Sequence, residues 1–135
     1  MIDSVNSTSK EKNYHKQVYN SSLWKRLRKN KLLDQPVCAV PGCNSISSEV
    51  DHILTFTSSS DPLAYNYFNL HCLCYTHHRR ITALERTLQK ILKTKYNNDV
   101  LDTPEMNEQA SQDKIQLFLK YDRPSFDVNG FPIQH

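Results

Sequence analysis

No apolar run in this chain approaches the ~20 residues a helix needs to cross a membrane, so no span is expected. Met1 to Asn13 is polar and lacks the apolar core of a secretory signal. Both absences lead to the expectation of a cytoplasmic protein. There, four cysteines are better read as metal ligands or reduced thiols than as disulfides. There is no internal repeat. Glycine is scarce, at two in 135 residues, so Gly42 inside Cys38-Ala39-Val40-Pro41-Gly42-Cys43 is informative. Pro41-Gly42 favours a tight turn in which glycine is free to take positive φ, and that turn lets two sulfurs face a common point.

The length fits one domain with tails at both ends. A core this small is commonly braced by a metal or by cross-links. The net charge of +3 is unevenly spread: residues 1–96 carry +7 and residues 97–135 carry −4. A basic body suits a polyanionic ligand, although a solubilising surface has the same composition.

Residues 1–13 lack periodicity and are expected to be a disordered tail. A helix is predicted over roughly Ser22 to Leu33, capped by Ser21 or Ser22. Leu23, Trp24 and Leu27 fall on one side, and Lys25, Arg26, Arg28, Lys29 and Lys31 crowd the rest, as a phosphate-contacting or simply solvated face. Gln35-Pro36 ends that helix. Glu49 to Leu54 reads as a strand, Thr55 to Asp61 as a loop, and Tyr67 to Cys74 as the returning strand. From Thr76 to about Tyr96 the pattern is helical, with Ile81, Leu84, Leu88, Ile91 and Leu92 as its apolar stripe. Asn97 to Asp113 is polar and acidic and reads as a linker. A short helix is expected within Asp113 to Tyr121, and Asn129-Gly130 signals a turn. The fold class expected is α+β.

Zinc prefers four Cys and His ligands supplied as two closely spaced pairs. Cys38 and Cys43 form one pair, and Cys74 and His77 form the other at the entry to a helix. Cys72 is an alternative to Cys74, and its position inside a strand favours a buried apolar role. His78 is an alternative to His77. Adjacent helical side chains diverge by about 100°, so the two histidines serve different sites. A second constellation is Asp51, His52, Asn69 and His78. Asp51 and His78 suit a divalent ion with open positions for phosphate and water. His52 suits a general base near neutral pH. Asn69 can hydrogen-bond across the hairpin and fix the strand bearing His52. Neighbours on a strand face opposite ways, so Asp51 and His52 share a site only through an irregular backbone or by approaching it from two sides.

The strings Glu49-Val50-Asp51-His52-Ile53, Asn69-Leu70 and Leu73-Cys74-Tyr75-Thr76-His77-His78-Arg79-Arg80-Ile81-Thr82, with Trp24 and Leu27-Arg28 ahead of them, resemble the HNH endonucleases, and most of all small phage-encoded members with a structural zinc. The likeness covers about residues 19–95, and Asp127 to Ile133 adds a weaker one. It implies a ββα-metal core braced by zinc and preceded by a basic helix, with a nuclease domain over 14–96 and an acidic extension over 97–135. It implies metal-dependent hydrolysis of DNA to 5′-phosphate and 3′-hydroxyl ends. Asp51 and His78 would hold Mg, Mn or Ni, His52 would be the base, and Asn69 would orient it. Cys38, Cys43, Cys74 and His77 would hold zinc, with His77 where the family usually has cysteine. Ile81 stands where the family usually has lysine, and Arg79 or Arg80 can supply that charge. Lys25, Arg26, Arg28, Lys29, Arg79 and Arg80 would hold the DNA backbone. Phage terminase or portal proteins are the implied partners, in the host cytoplasm, for a packaging, homing or restriction role. The rival expectation is a zinc-braced DNA-binding or packaging-complex module without catalysis.

Overall fold

The computed structural model describes residues 13–97 and 99–123. Expectations for residues 1–12 and for the Asn129-Gly130 and Asp127 to Ile133 segments lie outside them. Over the described residues the architecture is α+β, with four α-helices and a two-stranded antiparallel sheet. Helix α1 covers residues 13–19, α2 Ser22–Asp34, α3 Tyr75–Tyr96 and α4 Pro104–Tyr121. Strands β1 (Glu49–His52) and β2 (Leu70–Leu73) pair with Asp51 opposite His71 and His52 opposite Leu70.

Each boundary has a local cause. Ser21 caps α2 by accepting from the Trp24 amide. Cys74 caps α3, its sulfur accepting from the His77 amide. That cap fixes Cys74 and His77 one helical turn apart on the same side of the helix start. Gly42 takes φ +80° in the Cys38–Cys43 turn, a left-handed conformation that costs glycine little. The returning strand is shorter than expected, because Asn66 caps a 3-10 turn over Tyr67–Asn69 before β2 begins.

The hairpin lies between α2 on one face and α3 with α4 on the other. All four β2 residues are therefore buried. Leu73, Ile81, Leu88, Leu92, Leu101, Ala110, Ile115 and Phe118 share one core, and Val18, Trp24, Phe56, Ala64 and Leu70 form a second beside it. Ile81, Leu88 and Leu92 are fully buried, each worth roughly 1.5–3 kcal/mol relative to exposure.

Three sequence expectations change. The Asn97 to Asp113 linker is in its second half a helix: Thr103 caps α4 by accepting from the Met106 amide, and Pro104 sits in the first turn, where a missing N–H costs nothing. The buried side of α4 carries Asn107, Ala110, Ser111, Lys114, Ile115 and Phe118. That is helical spacing with polar residues at apolar positions, so hydrophobic periodicity misses it. Residues 99–123 of the acidic extension accordingly pack into the main core. Leu23 is exposed, and only Trp24 and Leu27 of its trio pack inward. Lys31, counted with the solvated face, is fully buried, donating to Asn107 Oδ1 at 3.1 Å and lying 4.2 Å from the Tyr67 ring centre.

Candidate functional site

Cys38 and Cys43 leave their turn facing the start of α3, where Cys74 and His77 wait. The four ligand atoms lie within 4.8 Å of one another, the one cluster of three or more Cys, His, Asp or Glu ligands among the described residues. Cys43 Sγ is 3.8 Å from Cys74 Sγ, and His77 Nδ1 is 3.5 Å from Cys38 Sγ and 3.4 Å from Cys74 Sγ. Around a tetrahedral zinc two sulfurs are about 3.8 Å apart, and a sulfur and a nitrogen about 3.5 Å. The donor set and its spacing fit a structural metal such as zinc. Cys72 stays out of the cluster: it is fully buried, and its thiol donates to the Lys31 carbonyl at 3.4 Å.

The second constellation gathers at the end of the hairpin where β1 leads into the loop. A cleft of about 250 Å³ is lined by His15, Tyr19, Asp51, His52, His78 and Glu85 among others. Asp51 and His52 reach it from opposite faces of β1. Asp51 shares its face with His71 and meets α4. His52 shares its face with Leu70 and stacks on Trp24 of α2, ring centres 4.8 Å apart and planes 17° apart. The strand stays regular, and the two side chains meet the cleft from two sides.

Asp51 is buried, and its two oxygens have different neighbours. Oδ2 accepts from His71 Nε2 at 2.8 Å and from Lys114 Nζ at 3.0 Å. Oδ1 lies 3.9 Å from His78 Nε2, and the His78 side chain is about a third exposed. Two ligand atoms of one ion, each about 2.1 Å from it, stand between roughly 3.0 and 4.2 Å apart. Oδ1 and Nε2 therefore fit a shared divalent ion. Burial alone raises the Asp51 carboxyl, but the Lys114 ammonium and the His71 hydrogen bond outweigh it and hold the group well below the usual carboxylate range.

His52 donates from Nε2 to the Ala64 carbonyl at 3.0 Å. Nδ1 then carries the lone pair able to take a proton. Burial pushes this imidazole below its ordinary value, against the pull of the Ala64 carbonyl and Asp51, so it is neutral at pH 7. Asn69 is fully buried. Its Oδ1 accepts from the Leu54 amide at 2.9 Å, and its Nδ2 donates to the Leu54 and Leu63 carbonyls at 2.8 and 3.0 Å. It pins the turn that follows His52 through Leu54, two residues further on. From α3, Gln89 Nε2 donates to the Ile53 carbonyl at 2.9 Å and holds the same turn.

A second depression, lined by Tyr19, Trp24, Lys25, Arg28, Glu49, Val50 and His78, adjoins the cleft through Tyr19, Val50 and His78. Lys25, Arg26, Lys29 and Arg79 are exposed. Arg28 also donates to the Ser48 carbonyl at 3.1 Å. Arg80 is engaged elsewhere, with Nη2 2.5 Å from Asp122 Oδ2 just past the end of α4.

Sequence reasoning missed four contributors: His71, Glu85, Ser111 and Lys114. His71 was findable, since hairpin register places it opposite Asp51. Lys114 falls within the short helix expected over Asp113 to Tyr121, where a lysine carries no signal of burial. Among the described residues no helix is long and apolar enough to cross a membrane. Comparison of this chain with protein-family models, with curated proteins and with solved structures found no match.

Proposed function

We propose that this chain is a metal-dependent DNA endonuclease of the HNH type, cutting phosphodiesters to leave 5′-phosphate and 3′-hydroxyl ends. The observation that carries the reading is Asp51 Oδ1 at 3.9 Å from His78 Nε2, beside a cleft that His52 also lines. The order of parts supports it: Asp51 and His52 end one strand, Asn69 precedes the next, and His78 lies in the first turn of the following helix.

A divalent ion held by Asp51 and His78 would supply Lewis acidity to a phosphate oxygen and to the departing 3′ oxygen. His52 would take a proton from the attacking water through Nδ1, while its bond to Ala64 and its stacking on Trp24 fix the ring. Asn69 would act by position, holding the turn after His52 in place. Lys25 and Arg28, beside the adjoining depression, would meet the DNA backbone in a salt-sensitive, sequence-tolerant way. Cys38, Cys43, Cys74 and His77 would hold zinc and fix the start of α3, and with it His78.

The test is plasmid nicking in Mg²⁺, Mn²⁺ and Ni²⁺ by the wild type and by His52→Ala. Nicking that needs the ion and is lost in His52→Ala, with fold and zinc retained, is the expected result. Equal cleavage by both chains, purified free of host nuclease, would sink the assignment. One observation favours a second reading, a zinc-braced DNA-binding module: Asp51 Oδ2 is already neutralised from within by Lys114. DNA retention by the wild type without nicking in any of the three ions would decide for it.

A further inference from the structure

Lys114 enters the cleft wall from α4 and is fully buried. Its ammonium has three oxygen partners: Glu85 Oε1 at 2.6 Å, the His52 carbonyl at 2.8 Å and Asp51 Oδ2 at 3.0 Å. A lysine side chain has three N–H donors and no acceptor, so all three are satisfied with no water. The partners come from both sides of the cleft: two from the end of β1 and one from α3.

Two carboxylates and a carbonyl around one point are also the ligand set of a hard divalent cation, which prefers oxygen donors. The distances to Nζ, 2.6 to 3.0 Å, exceed metal–oxygen bonds of about 2.1 Å by roughly 0.5 to 0.9 Å, within reach of side-chain shifts. A buried Asp51 and a partly buried Glu85 on one cleft need positive charge between them, since an unpaired buried charge is costly. Lys114 provides it covalently. Its hold on Oδ2 and the hold of His71 leave Oδ1 as the Asp51 oxygen nearest His78.

We propose that the Lys114 ammonium is a resident cation occupying the place of a second divalent ion, so that it restricts this cleft to one ion at Asp51 Oδ1 and His78. The inference rests on the one-ion reading of that pair. Its consequence is that removing the ammonium opens an oxygen site formed by Asp51, Glu85 and the His52 carbonyl.

The experiment counts Mn²⁺ bound per zinc-loaded full-length chain by calorimetry, and follows thermal stability against Mn²⁺. The wild type should bind one Mn²⁺, lost in His78→Ala. Lys114→Met should bind two, and millimolar Mn²⁺ should restore stability lost by the substitution. The double variant Lys114→Met/Glu85→Gln should return to one, with no Mn²⁺-dependent stabilisation beyond the wild type's. A Lys114→Met chain that binds only one Mn²⁺, or that stays unfolded in millimolar Mn²⁺, overturns the proposal. A wild type that binds no Mn²⁺ overturns the one-ion reading and the proposal built on it, which tells the two failures apart.

Discussion

His71 stands directly opposite Asp51 across the hairpin, and its Nε2 lies 2.8 Å from Asp51 Oδ2. At its other nitrogen, Nδ1, it accepts from Ser111 Oγ at 2.7 Å. Burial favours the neutral ring, and Lys114 already supplies Asp51 with positive charge, so His71 connects β1 to α4 without ionising. His71→Ala leaves a buried carboxylate and a serine hydroxyl short of a partner and opens a cavity. It should cost roughly 2–4 kcal/mol in urea unfolding. Ser111→Ala in that background should add little, because the bond it removes is already gone. Full additivity of the two losses would mean that the serine and the histidine do not act together.

The Cys3His cluster, read as a zinc site, predicts a division among the cysteines. Cys43→Ala should lose stoichiometric zinc, because it removes one of four ligands. Cys72→Ala should keep it and cost about 1 kcal/mol for a small buried void. Elemental analysis of the two purified variants decides. Chelation should unfold the wild type, since structural zinc contributes on the order of 10 kcal/mol and Cys38 and Cys74 lie within the main core. A chain that keeps its melting temperature after zinc removal would contradict this.

Acid should weaken the contact between the end of α3 and α4. Burial by itself raises the Asp113 carboxyl, but the Tyr96 hydroxyl and Lys95 outweigh it and hold the group below its ordinary value. Lys95 Nζ is 2.9 Å from Asp113 Oδ2, and the Tyr96 hydroxyl donates to the same oxygen. A depressed folded value means that the unfolded chain takes up the proton first. The stabilisation is complete above the unfolded carboxyl value near ~4 and is lost as pH falls through the folded one. Asp113→Asn should therefore be less stable than wild type at neutral pH, with the gap steady down to about pH 5 and closing as pH falls below about 4. Urea midpoints of both chains across that range check it; a gap that widens in acid has the wrong sign.

If DNA runs along the Lys25 and Arg28 side, basic residues should differ in kind. Lys29→Ala removes an exposed charge and should lower the slope of log affinity against log salt by about 1. Arg80→Ala should leave that slope unchanged and lower the melting temperature, because its guanidinium is committed to Asp122. Equal slope changes for the two would place Arg80 on the DNA as well.

The order from α2 through the Cys loop, hairpin and α3 was legible because each element carries local chemistry: a serine cap, a Pro-Gly turn, an apolar stripe on α3. The Cys3His cluster was legible because spacing and the divergence of adjacent helical residues separate His77 from His78. The first half of helix α4 was not, since its buried side is held by Asn107 and Ser111 through hydrogen bonds; only its second half, within Asp113 to Tyr121, was expected as a helix. Asn107 Nδ2 donates to the Phe68 and Leu70 carbonyls at 2.7 and 2.9 Å, contacts that composition cannot announce. The same blindness hid the counter-charge of Asp51, since Lys114 reaches it only through tertiary placement.

Lys114 reaches back 62 positions in the chain to the His52 carbonyl, and that separation orders assembly in time. During synthesis the hairpin and α3 emerge first, with Asp51 and Glu85 facing each other and no ammonium between them. Bringing them together without it is unfavourable, so that side of the core stays open to water until α4 arrives. Helix α4, the last of the described helices, therefore closes the cleft wall, and contacts this distant in sequence are among the slower to form. A partly synthesised chain ending in α3 would carry the proposed Asp51, His52, Asn69 and His78 set without the geometry to use it.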